Sequence, residues 1–427
     1  MLETLVDAAF EYAYPLFAVA QTRYRAVQDA ANPGRHAPDT LKHERHLSDH
    51  RARWITTPNN DTLYSNAWLD LSSGPVRIRI GAMPDGRYWS VAFMDAFTNN
   101  FAMLGSRLDG TGPLDITLVG PAQRDAVLPG RTIRAPGNDV WLFARCLVDG
   151  VEDLANSHAM QDRIEVLAPP GASHAARIAP GQSADPQNFL AVVNELLARN
   201  PPPVSEAVLL ERWAMVGLRP GAVDAWHDIS EDARQAWMAR IEPAHARLRQ
   251  SGMSGRRDIQ GWVASGVDIG NFGQNFSLRA SVAIGGLGAL PPEEAMYFVK
   301  FRDAAMQPLD GRHHYILRVP STGIPADSFW SFSMYEPTAD GQRFFAENPI
   351  RRYSIGNRTP GLVRNADGSL DMALQHDAPS EERLLANWLP APAGPFQIAL
   401  RTYLPRPGLR EGSAAMPSVF RRDPQPS

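Results

Sequence analysis

The chain has 427 residues, 44% of them hydrophobic and 21% charged, a globular composition that excludes a disordered polymer. Lys+Arg 42 against Asp+Glu 46 leaves a formal net charge of -4, without the basic footprint of a nucleic-acid binder. Single cores stop growing at roughly 250–300 residues, so at least two domains are expected.

The first segment, 1–50, opens with "MLETLVDAAFEYAYPLFAVAQTR", whose apolar positions Leu5, Ala9, Leu16, Phe17 and Ala20 repeat with helical period. Glu3, Asp7 and Glu11 stand where a secretory leader needs positive charge, and Pro15 interrupts the apolar run. The segment is therefore read as a helix of the fold and the protein as cytoplasmic. No stretch reaches the ~18 apolar residues of a membrane span, so no membrane partner is expected. Farther along, "LKHERHLSDH" spaces His43, His46 and His50 so that a helix would place them on one face. A divalent metal there is the sharper reading and a solvated, charge-rich segment the plainer one; no cofactor is otherwise expected.

Residues 51–182 are read as a β domain. "LYSNAWLDL", "PVRIRI", "YWSVAFMD", "LDITLVG" and "VWLFARCLV" are short, β-branched and aromatic, and tight Gly/Pro/Asp turns separate them. That spacing indicates a sandwich or barrel. "GAMPDGRYWSV" predicts a hairpin at Asp85-Gly86. Cys146, the sole cysteine, reads as a small hydrophobe in a buried strand. "GASHA" misses the nucleophile-elbow pattern at its last position and follows Pro169-Pro170 rather than a strand, so Ser173 reads as a loop serine.

Residues 183–265 are helical in pattern, with Asp185 as a cap and Pro186 at the first helical position. The last region, 266–427, returns to β texture in "HHYILRVP", "SFWSFSMYE" and "FQIALRTYLP". Its "GGLG" lacks the residues and spacing of either a phosphate loop or a dinucleotide fingerprint.

The candidate chemistry concentrates in "TPNNDTLYSNAWLDL". Pro58, Asn59, Asn60 and Asp61 have turn propensity, and Tyr64 and Ser65 follow as a strand begins. A carboxylate, an amide and a phenol at a strand end form a usable acid-base and hydrogen-bonding set. "YWSVAFMDAFTNN" supplies a second carboxylate, Asp95, with Tyr88 and Asn100 nearby. Paired carboxylates in unlike environments suit hydrolysis. "NPIRRYSIG" offers Arg352 as a structural arginine or an anion clamp, and "ANWLP" offers Trp388 as an apolar wall.

Two blocks carry a family resemblance. "PNNDTLYS", "GRYWSVAFMDAFTNNFAMLGSR" and "RCLVDGVEDL" resemble the bacterial domain of unknown function 1254. "FWSFSMYE", "NPIRRYSIG", "NWLPAPAGPF" and "LRTYLP" resemble its companion, the domain of unknown function 1214. The resemblance implies an immunoglobulin-like sandwich, a helical middle segment and a jelly-roll-like sandwich. Thr98 departs from it, standing where an aromatic is expected. Many relatives carry a secretion or lipoprotein signal that is not seen here.

Two functions follow as expectations. One is a cofactor-independent hydrolase or lyase, a possible homo-oligomer, acting on a small polar metabolite in an inter-domain cleft. Asp61 or Asp95 would be its acid-base group and Tyr64 its partner; Asn60, Asn100, Tyr88, Arg352 and Trp388 would bind substrate. The other is a lectin-like ligand-binding or assembly protein in which Asp61 and Arg352 form a domain-bridging salt bridge.

Overall fold

The computed structural model describes residues 1–422 except 54–55, 124–127, 129, 170–171, 173, 175–176, 252–254 and 340. Ser173 is outside the described residues. The helical period of the first segment is realised as α1 (Leu2–Val27), which continues through a buried Pro15 and turns Val6, Phe10, Ala13 and Phe17 inward.

Nine strands follow: β1 (Lys42–His43), β2 (Thr62–Asp70), β3 (Val76–Ile80), β4 (Trp89–Met94), β5 (Asn100–Gly105), β6 (Leu114–Val119), β7 (Arg131–Arg134), β8 (Asp139–Leu147) and β9 (Ile164–Leu167), with α2 (Leu154–Gln161) before the last. They form two sheets, β1-β2-β8-β4-β5 and β7-β6-β3-β9. The sheets enclose a core that includes Leu69, Ile78, Trp89, Val91, Leu142 and Cys146. The alternation of β3, buried at Val76, Ile78 and Ile80 and exposed at both arginines, is that of a sheet with one face in the core. The turn expected at Asp85-Gly86 forms, with Gly86 at φ 69, but it makes no hairpin. β3 pairs with β6 and β9, and β4 with β5 and β8, so this turn carries the chain from one sheet to the other.

The helical region comprises α3 (Pro186–Arg199), α4 (Ala207–Trp213), α5 (Ala225–Asp228) and α6 (Glu231–Ser251). Asp185 caps α3 as its sequence predicts, accepting from the amides of Gln187 and Asn188. The short strands β10 (Arg257–Ile259) and β11 (Trp262–Ala264) lead to α7 (Phe276–Gly285), capped by Asn275. Helices α1, α3, α6 and α7 share one core around Phe10, Phe17, Phe189 and Trp237.

The remaining strands are β12 (Ala295–Lys300), β13 (Tyr315–Val319), β14 (Ala326–Pro337), β15 (Arg343–Phe344), β16 (Ser354–Gly356), β17 (Leu370–Gln375), β18 (Trp388–Pro390), β19 (Gln397–Pro405) and β20 (Ser418–Arg421). One sheet runs β10-β11-β12-β19-β14-β15, with β16 also on β14, and the other β18-β17-β13-β20. Trp262, Phe298, Leu317, Phe332, Leu374 and Leu400 fill the space between them. The chain is thus mainly β with a helical region, an immunoglobulin-like sandwich preceding a jelly-roll-like one. The sandwiches meet through outer sheet faces, where Tyr88, Ala92 and Met103 pack against Ala295, Phe329 and Tyr403. No helix among the described residues is long and apolar enough to cross a membrane.

Candidate functional site

The site is built on the turn that precedes β2. Asn59 folds back as its turn propensity requires, its Oδ1 accepting from the Asp61 amide at 2.7 Å. Its Nδ2 lies within hydrogen-bond reach of Thr62 Oγ1 at 2.9 Å, Tyr64 Oη at 2.9 Å and Tyr403 Oη at 3.1 Å. The second sandwich holds the same turn from the other side. The Pro58 carbonyl accepts from Tyr335 Oη at 2.6 Å and from Arg401 Nη2 at 3.0 Å, and the Thr57 carbonyl also accepts from Arg401 at 3.0 Å.

This double anchorage leaves the Asp61 side chain at the floor of a cleft of 530 Å³ between the two sandwiches, lined also by His46, Asn60, Trp330, Ser331 and Tyr353. Ser331 Oγ donates to Asp61 Oδ2 at 2.6 Å and Ser354 Oγ to Oδ1 at 3.3 Å. Burial pushes the Asp61 carboxyl above its ordinary value, against the opposing pull of the Arg401 charge and the two hydroxyls. Arg401 donates its Nη1 to Ser333 at 2.6 Å, so Asp61 faces hydroxyls rather than a direct ion pair. Tyr353, which also lines the cleft, shares a hydrogen bond of 2.8 Å between its Oη and His50 Nδ1, and burial raises the pKa of that phenol. Exposed Arg351 lines the cleft, as does Arg358, which makes a bidentate pair with Asp149.

The structure separates the residues that the sequence groups together. Asn60 lines the cleft and donates to the Ser48 carbonyl at 2.6 Å. Tyr64 does not line it; strand alternation sends that ring to the outer face of β2, stacked on Phe143 with centroids 5.0 Å apart. Asp95 is also elsewhere, and its oxygens are occupied within its own turn by the amides of Phe97 and Asn99 at 2.9 Å and by Asn99 Nδ2 at 3.1 Å. Asn100 donates to the carbonyls of Gly270 at 3.2 Å and Ala289 at 2.9 Å, tying β5 to the segment around α7. Tyr88 is buried between the sandwiches and donates to Glu294 Oε1 at 2.7 Å. Trp388 is buried beside β17, with Nε1 on the Gln375 carbonyl at 2.9 Å, so the apolar lining of the cleft is Val151, Leu154 and Ile350 instead, the Trp330 ring being packed in the core of the second sandwich.

Arg352 lines the cleft, but its Nη1 donates to the carbonyls of Ala386 and Trp388, each at 3.0 Å. It forms no salt bridge with Asp61. The histidines do not share a helix face, because their segment is extended: His43 pairs in β1 and contacts Ser65 Oγ at 2.7 Å, while His50 contacts Tyr353. Among the described residues no group of three His, Cys, Asp or Glu is placed to hold a metal ion.

Ser331 and Ser354 are the contributors that sequence reasoning missed. A signal for Ser331 existed in "SFWSFSMYE", where Ser331 and Ser333 alternate with the core residues Trp330, Phe332 and Met334 and so lie on the strand face turned away from that core. Ser354 carried no comparable mark.

Residues 38–168 match the family model described as a protein of unknown function (DUF1254), and residues 294–407 match the corresponding DUF1214 model. The chain carries a DUF1254 domain followed by a DUF1214 domain. Asp61 belongs to the DUF1254 domain; Ser331, Ser354 and Arg401 belong to DUF1214, so the cleft lies where the two domains meet. The VPA0106 protein of Vibrio parahaemolyticus shares the fold, with a TM-score of 0.77 at 21% identity over 99% of this chain and 100% of that one. An uncharacterized protein from Burkholderia cenocepacia aligns at a TM-score of 0.46 and 14% identity, covering 97% of this chain and 87% of that one. No curated protein matches the sequence.

Proposed function

We propose that the chain is an enzyme of hydrolase or lyase type that acts on a small polar metabolite in the DUF1254–DUF1214 cleft, with Asp61 as its acid-base group. The observation that carries the reading is a buried carboxylate at a cleft floor, held by two hydroxyls from the facing domain, with burial raising its pKa. Ser331 and Ser354 orient that carboxylate. Tyr353, hydrogen-bonded to His50, is the proton donor in place of Tyr64. Arg351 at the rim attracts an anionic substituent, and Val151 and Ile350 supply the apolar edge.

The test is a panel of esters, lactones and β-hydroxy acids assayed on the wild-type protein and on Asp61→Asn. Loss of a general base costs about 10²–10⁴ in rate, so turnover should fall by at least a hundredfold with little change in melting temperature. Turnover in Asp61→Asn equal to wild type would sink the assignment.

The ligand-binding or assembly reading draws on the fact that both Asp61 hydrogen bonds cross the domain boundary, as those of an inter-domain clamp would. It gains if no panel member is turned over and Asp61→Asn loosens the domains, seen as a large drop in melting temperature.

A further inference from the structure

Register places Tyr64, Arg145 and Ser90 side by side on the outer face of β2, β8 and β4, where the first sandwich meets the second. Arg145 is 5% exposed. Its Nη2 donates to the Gly288 carbonyl at 3.2 Å, while Nε and Nη1 have no hydrogen-bond partner among the described residues. No carboxylate among the described residues forms an ion pair with it. Its surroundings are aromatic: the guanidinium carbon lies 4.5 Å from the Phe143 ring centre and 5.6 Å from that of Tyr64. Tyr64 Oη accepts from Asn59, and no acceptor for its own proton is found among the described residues. Tyr64, Phe143 and Tyr297 each keep part of their surface open although Arg145 between them is buried.

A buried cation without a counter-ion is costly, and ring faces offset that cost only in part. Two unpaired guanidinium nitrogens and a free phenolic proton are donors without acceptors, which an anion would satisfy in both charge and hydrogen bonding. The wall beside them is apolar, because Tyr64 and Phe143 stack with centroids 5.0 Å apart and keep part of their surface open, while Trp141 and Trp68 farther along pack against Val19, Val27 and Leu287. We propose that Arg145 and Tyr64 form a binding site for the carboxylate of a small aromatic acid, whose ring packs along this wall. The site uses none of the cleft residues and does not depend on the acid-base role of Asp61.

The full-length protein is titrated with sodium benzoate, with benzyl alcohol as the neutral counterpart and sodium sulfate as an inorganic anion, read by tryptophan fluorescence and thermal shift. Saturable benzoate binding is expected, with no comparable response to the other two. A lost charge-assisted hydrogen bond corresponds to about a tenfold or greater change in affinity, so Arg145→Met should weaken benzoate by at least that factor. Tyr64→Phe removes one hydroxyl and should weaken it by a smaller factor; it carries the test if Arg145→Met does not fold. Absence of saturable benzoate binding to wild type, an equal response to sulfate, or unchanged affinity in the folded variants would overturn the site.

Discussion

Asp61 and Asp95 differ in who holds them. Both are aspartates at the edge of strands in the first sandwich, and burial raises the pKa of both. Asp95 accepts from Phe97 and Asn99, two and four residues away, and so closes its own turn. Asp61 accepts from Ser331 and Ser354, 270 and 293 residues away, on the facing domain. A carboxylate satisfied by its own loop is a structural cap; one satisfied by hydroxyls across a cleft keeps a face on which a ligand can act. Chemical type and burial are shared, so topology makes the difference.

After the rate loss expected for Asp61→Asn, the largest effect that should separate the pair is on stability. Asp95→Ala strands two backbone amides and the Asn99 side chain, and its turn already holds Thr98 at φ 71, a conformation that a β-branched residue rarely adopts. A loss of about 2–3 kcal/mol is expected, measured by urea unfolding, with catalytic turnover retained. If Asp95→Ala instead lost turnover at unchanged stability, the assignment of the two carboxylates would be reversed.

The fold was more legible in the sequence than the site, for a physical reason. Strand alternation, the Asp185-Pro186 cap and the helical face of α1 are local patterns, each written within a few residues. The turn at Asp85-Gly86 was legible as a turn but not as a sheet crossing, since pairing partners are chosen by packing elsewhere in the chain. The same holds for the site: Asp61 and Asn60 could be singled out by residue type, but the hydroxyls that receive Asp61 lie on β14 and β16. Tyr64 stands three residues from Asp61, but strand alternation turns its ring to the opposite face, onto Phe143. Arg145 carried no signal at all, because an arginine in a strand acquires meaning only from what fails to pair with it.

The two serines sharpen the comparison at a finer scale. Ser331 is buried and donates at 2.6 Å, whereas Ser354 is less buried and donates at 3.3 Å. Ser331→Ala should therefore cost about 1.5–3 kcal/mol in urea unfolding, in the range of a hydrogen bond to a charged group, and Ser354→Ala less. Equal costs would mean that the shorter bond gives Asp61 no additional hold.

The smallest effect is one in which the two aspartates should behave alike. Both carboxyls are raised from 3.8, with burial as the leading cause, so each binds its proton more tightly in the folded chain than in the unfolded one. The corresponding stability is complete below the unfolded pKa and is lost as pH rises through the folded one. An asparagine at either position does not titrate. The melting temperatures of Asp61→Asn and Asp95→Asn, each taken relative to wild type, should therefore climb as pH is raised from about 4 to about 7. A difference that falls with pH at position 61 alone would mean that the Arg401 charge outweighs burial there, leaving Asp61 a permanently ionised anchor rather than a base. A shared climb leaves geometry, not the direction of titration, as what separates the cleft carboxylate from the turn cap.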